Sequence, residues 1–103
     1  MDKSKKVELL DTKISFIEEL AGEYNPNNLR QWREETLMIL DNLITVESKY
    51  YTNFEDIRYV SGVITPMDSV GNSERNKKSY FAGLERAKSS LKAIVFGIQN
   101  DLI

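Results

Sequence analysis

Val7, Leu10, Ile14, Ile17, Ala21 and Tyr24 follow one another at steps of three, four, three, four and three. That rhythm returns each side chain to one face of a chain turning every 3.6 residues, so it commits the first quarter of the protein to an amphipathic helix. The same rhythm recurs at Trp32, Thr36, Ile39, Leu43, Val46 and Tyr50, and again at Leu84, Ala87, Leu91, Ile94 and Ile98. No segment sustains the two-residue alternation of a half-buried strand. The spacing therefore predicts an all-α fold, a helical bundle of three long helices plus one short helix. At 103 residues the chain is of ordinary single-domain size, and one helical domain over 1–103 is expected.

Punctuation between the stripes sets the expected boundaries. Gly22 and Asn25-Pro26 stop the first helix near Glu23, because the residue before proline is pushed out of helical geometry. Asn25, or Asn28 with Gln31 three residues on, caps the second helix. Thr52 with Glu55 matches a capping box for a short third helix that would run through Phe54, Ile57, Ser61 and Ile64, though β-branched residues beside Gly62 and Pro66 also suit an extended turn. Met67 to Ser73 reads as a loop open to nicking, and Ser73 or Asn72 as the cap of the last helix. The long connection around Pro66 leaves the direction of that last helix open. Gly83 and Gly97 inside it signal either drift or the close approach of another segment, with equal weight.

Composition removes whole classes of chemistry. With no histidine and no cysteine, disulfides, thiolate nucleophiles, Cys/His zinc sites and every triad needing an imidazole are excluded. Fourteen Lys and Arg against sixteen Asp and Glu leave a formal charge of -2, without the basic excess of a nucleic-acid binder. The acidic pairs Glu18/Glu19, Glu34/Glu35 and Glu55/Asp56 are neighbours in sequence and diverge by about 100° around a helix, so they belong to solvated faces. Arg30 and Arg33 read the same way, as partners for Glu34 and Glu35 on the wet side of the second helix. An all-oxygen cation site from Asp41, Glu47 and Glu55 has no supporting ligand pattern. No catalytic residue, cofactor or metal is assigned. No apolar stretch reaches the length of a membrane span, and the charged start Met1-Asp2-Lys3-Ser4-Lys5-Lys6 does not resemble an export signal, so a cytoplasmic protein without membrane contact is expected.

What remains is surface. Trp32 and Phe54 are expected to fill the core, whereas the adjacent Tyr50 and Tyr51 cannot point the same way on a helix, so at least one meets solvent, a loop or a partner. Apolar positions flank the main stripes on both long helices, beyond what a bundle of this size is expected to hide. On that ground Phe16, Leu20, Tyr51, Tyr59, Val95 and Leu102 are the candidate contact residues, with another protein, and first a second copy of the chain, as partner. Arg75, Lys77 and Lys78 beside Tyr80, at the start of the last helix, form a candidate anion site.

Trp32 with Glu35, the run Leu37, Leu40 and Leu43, the segment Glu47-Ser48-Lys49-Tyr50-Tyr51-Thr52-Asn53-Phe54, and Tyr80-Phe81-Ala82-Gly83-Leu84-Glu85-Arg86-Ala87-Lys88 together resemble a small helical module of bacterial defence-associated and prophage proteins. That module often precedes a TIR-like or nucleotide-binding effector domain. The resemblance spans Asn28 to Ile103 and implies self-association or partner contact, with chemistry carried by a different domain; it brings no catalytic residues. Two other readings stand beside it. One is a phage-encoded inhibitor of a host immune enzyme, although -2 is too small a charge for nucleic-acid mimicry. The other is a nucleotide-binding helical protein using the Arg75, Lys77, Lys78 and Tyr80 cluster for phosphate and base.

Overall fold

The computed structural model describes residues 2–44, 47–59 and 69–103, with side chains described from residue 77 onward in the last segment. Four helices form in the order α1 (Lys3–Gly22), α2 (Pro26–Leu43), α3 (Lys49–Glu55) and α4 (Ser69–Gln99). Among the described residues there is no strand, and the bundle of three long helices and one short helix is the architecture the periodicity predicts.

Local chemistry accounts for most of the ends. Asp2 accepts from the Lys5 N–H at 2.8 Å and starts α1. Asn25 accepts from the Asn28 N–H at 3.1 Å with Pro26 as first helical residue, so one three-residue turn ends α1 and begins α2. The second stripe does not run on to Tyr50. α2 stops at Leu43, Ile44 is extended, and Ser48 opens α3 by accepting from the Tyr50 N–H at 3.2 Å. The β-branched run Ile44-Thr45-Val46 disfavours continuation, and Ser48 supplies a cap four residues ahead of Thr52. Thr52 therefore lies within α3 and is not its capping residue, and Ile57 lies beyond its end. Val46, Ser61, Ile64, Pro66 and Met67 are outside the described residues.

The expected loop through Ser73 is corrected as well. α4 already begins at Ser69, so neither Asn72 nor Ser73 caps it. Each residue added to an existing helix gains a hydrogen bond at little further entropic cost, which lets a long helix carry Gly71 and Asn72. At its other end Asp101 takes φ 56, the Leu102 N–H donates to the Gly97 carbonyl at 2.7 Å, and the Asp101 N–H to the Ile98 carbonyl at 3.3 Å. These paired bonds close the helix in a Schellman turn.

Five side-chain contacts settle the topology. Lys3 reaches Asp101 at 2.8 Å while Tyr80 meets the Leu20 carbonyl at 2.8 Å, so α1 and α4 lie antiparallel along their lengths. The Trp32 indole N–H donates to the Lys13 carbonyl at 3.1 Å and Lys13 pairs with Glu35 at 2.7 Å, which fixes α2 against α1 in a hairpin. Arg33 donates to the Glu55 carbonyl at 2.9 Å, returning α3 along α2 and hence against the direction of α4. α1 and α4 make the most extensive contact, and their facing stripes supply Leu10, Ile17, Leu84, Ala87, Leu91 and Ile94 to the core. Trp32 and Phe54 pack in it with ring centres 6.0 Å apart. The one buried polar residue in the described core, Thr36, donates back to the Trp32 carbonyl at 2.7 Å and leaves no unpaired hydroxyl.

Gly83 and Gly97, within α4, are explained by close approach. A Cβ at Gly83 would stand 2.8 Å from the Arg58 carbonyl oxygen and 2.5 Å from the Tyr59 ring, so the segment after α3 rests directly on the α4 backbone. A Cβ at Gly97 would stand 2.6 Å from the Ile103 side chain, where the chain folds back over the helix end.

Candidate functional site

The anion cluster read from the sequence is not assembled as a site. Tyr80 is buried, and its hydroxyl lies 2.8 Å from the Leu20 carbonyl, 3.2 Å from that of Glu23 and 3.5 Å from the Asn25 N–H. Carbonyls in the last turn of a helix have no intrahelical donor, and this hydroxyl supplies one. Tyr80 is thus the latch between α4 and the end of α1, and burial holds its own proton more tightly than in a free tyrosine. Lys77 lies 5.9 Å above the Tyr24 ring, Lys78 is exposed, and the Arg75 side chain is outside the described residues.

The six candidate contact residues divide evenly. Leu20, Tyr59 and Val95 are buried within the single chain and are corrected from surface to core: the bundle absorbs their flanking stripes through the α1–α4 seam and the Tyr59 segment. Phe16 is 38% exposed, at the edge of the α1–α2 groove, and Tyr51 is half-buried, with its proton held more tightly because burial disfavours the phenolate and Glu55 and Asp41 add to the effect. Leu102 is 69% exposed. Sequence reasoning missed two other exposed apolar residues toward the end of the chain: Phe96, on the solvent face of α4, is 60% exposed and Ile103 is 45% exposed. The signal was present, since Phe96 falls about 160° around α4 from Tyr80 and the core stripe. Met38, on α2, is 67% exposed.

A second concavity forms where Tyr24 and Pro26 in the α1–α2 turn, the first half of α2, the segment after α3 and Tyr80 meet. It measures about 350 Å³ and is mainly apolar, with Tyr24, Leu29, Ile57, Tyr59 and Tyr80 in its walls and Arg30, Arg33 and Arg58 among them. No carboxylate lines it among the described residues. Arg30 and Arg33 line this cleft; Arg33 also keeps the Glu34 partner that the sequence suggested, whereas Glu35 pairs with Lys13 and Gln31, and these hydrogen bonds, Lys13's first, hold its carboxyl below the usual range. Arg33 is fixed by its bond to the Glu55 carbonyl and has Glu34 at 3.7 Å outside the lining. Tyr59 is 8% exposed, and its hydroxyl has no hydrogen-bond partner among the described residues. Burial pushes that phenol up to about 12, against the opposing charge of Arg33. Nothing in the spacing of Tyr24, Arg33 and Arg58 announced this cleft, because the turn and the chain after α3 bring it together only in the fold.

A larger depression of about 520 Å³ runs along the start of α1 past Gln99, but its lining is wide open and mixes Lys3 with Glu8 and Asp11, so it selects no ligand charge. Among the described residues no three carboxylates gather as they would to hold a metal, and Asp41, Glu47 and Glu55 do not form a ligand set. No described helix is long and apolar enough to cross a membrane. No family model, curated protein or solved structure matches the chain.

Proposed function

We propose that this protein is a non-enzymatic α-helical interaction module that pairs with a second copy of itself through the end of the bundle where α4 terminates. The observation that carries the reading is the exposure of Phe96 and Leu102, 60% and 69%, beside Ile103 at that end. Large apolar side chains gain by leaving water, and their burial contributes about 25 cal/mol per Å² covered. Lys3 and Asp101, opposite in sign, flank the same end, so a two-fold contact there need not set like charges against each other. The resemblance to helical modules of defence-associated and prophage proteins supports the same reading. In that setting the module would work in the cytoplasm and bring together the domains attached to it.

Light scattering coupled to size exclusion tests the proposal. The mass of the wild-type chain rises with concentration, whereas a Phe96→Ser, Leu102→Ser double variant stays monomeric with unchanged helical circular dichroism, because both side chains are exposed. A wild-type chain that stays monomeric at its highest soluble concentration overturns it.

A further inference from the structure

We propose that the cleft between the α1–α2 turn, α2 and the segment after α3 is a binding site for a small organic anion, a phosphate or carboxylate carried on a flat apolar ring. Three features point to that chemistry. Arg30, Arg33 and Arg58 converge on one 350 Å³ cleft whose described lining holds no acid, in a chain whose acids outnumber its bases. Guanidinium groups pair with carboxylate and phosphate oxygens through two parallel bonds; Arg33 holds one nitrogen on the Glu55 carbonyl and the other 3.7 Å from Glu34, and Arg30 and Arg58 line the cleft with it. Between the arginines, Tyr24 and Leu29 offer flat apolar wall, and the volume is within the range that small ligands occupy.

The third feature is Tyr59. Its ring lies against Gly83 and lines the cleft, and its hydroxyl is buried without a partner among the described residues. A buried hydroxyl without a partner costs stability, so few survive in folded proteins without a role. The hydroxyl is sealed from solvent in the unliganded protein, so an anion gives it the acceptor it lacks among the described residues only by seating beneath the cleft surface. The arginines set the sign of the ligand, the aromatic wall its shape, and Tyr59 its depth. This site is separate from the end of α4 and does not depend on the chain pairing with itself.

Thermal melting with phenyl phosphate, benzoate, adenosine 5′-monophosphate, inorganic phosphate and phenol as probes tests the site, since a ligand that binds only the folded state raises its melting temperature. At least one of the three ring-bearing anions is expected to raise Tm by several degrees, with inorganic phosphate and phenol well below it. Phosphate and carboxylate probes then rank the anionic group. Arg58→Gln, at an exposed position, is expected to weaken binding about tenfold or more while leaving the unliganded Tm in place. Tyr59→Phe is expected to keep or raise the unliganded Tm and yet reduce the ligand-induced rise. No rise with any ring-bearing anion, an equal rise with inorganic phosphate alone, or undiminished binding in both variants overturns the proposal.

Discussion

Two tyrosines that line the cleft show how one hydroxyl can stabilise a fold while another strains it. Tyr80 donates to the Leu20 carbonyl in the last turn of α1, so Tyr80→Phe is expected to cost about 1–2 kcal/mol in urea unfolding, the loss expected when a buried acceptor is left unpaired. Tyr59→Phe removes a hydroxyl with nothing to bond among the described residues and is expected to be neutral or stabilising. Their alkaline behaviour follows from the same burial. Tyr59 ionises near 12 in the fold against 10 when unfolded, so the unfolded chain loses its proton first. Its contribution is complete below pH 10 and is lost as pH rises through 12. Denaturant midpoints measured from pH 9 to 12 are expected to fall, and to fall less in Tyr59→Phe. The glycines sort as sharply. Gly83→Ala meets the Arg58 carbonyl and is expected to destabilise by about 1–3 kcal/mol despite the better helix former, because backbone cannot swing aside. Gly22→Ala meets nothing within 4 Å and is expected to stabilise by about 0.4–1 kcal/mol. In the sequence these residues look alike; only the neighbour brought by the fold tells them apart.

Helices were legible where periodicity and a cap agreed, and misread where two signals competed. Asn25-Pro26 marks its turn unambiguously, since proline both ends one helix and suits the first turn of the next. Asn25→Ala is expected to cost about 1 kcal/mol, read by chemical denaturation. At α3 two caps lay within five residues, and Ser48 prevailed over Thr52. A helix of seven residues has no independent stability, and α3 is held by Phe54 against Trp32 and by Arg33 at its end. Amide exchange is therefore expected to show α3 opening before α1 and α4, and Phe54→Ala, at a cost of about 3–5 kcal/mol, to release it further. The start of α4 was misread for a different reason. Turn-forming residues carry a weak local preference, which the growth of a 31-residue helix overrides.

At the scale of the whole molecule, antiparallel α1 and α4 define a body 50 Å long, matching a 31-residue helix at about 1.5 Å per residue. Its two ends differ in character. One holds the arginine-lined cleft and the Tyr80 latch; the other, where the chain closes in its Schellman turn, leaves Phe96 and Leu102 in water. The sequence showed broad apolar stripes but not how much of them the bundle would absorb. Leu20, Tyr59 and Val95 disappeared into the core because the facing helices and the chain after α3 cover them, leaving a smaller apolar surface at one end. The chain contains no cysteine, so a single introduced thiol can be labelled without ambiguity. Spin labels at exposed Ala93→Cys, near Phe96, and in a separate sample at Ala21→Cys, near the cleft end, allow distances between copies to be read by pulsed electron resonance. Pairing through the end of α4 predicts a short, narrow inter-copy distance for the Ala93 label and a longer one for the Ala21 label; no dipolar coupling at either position, or the shorter distance at Ala21, would contradict it.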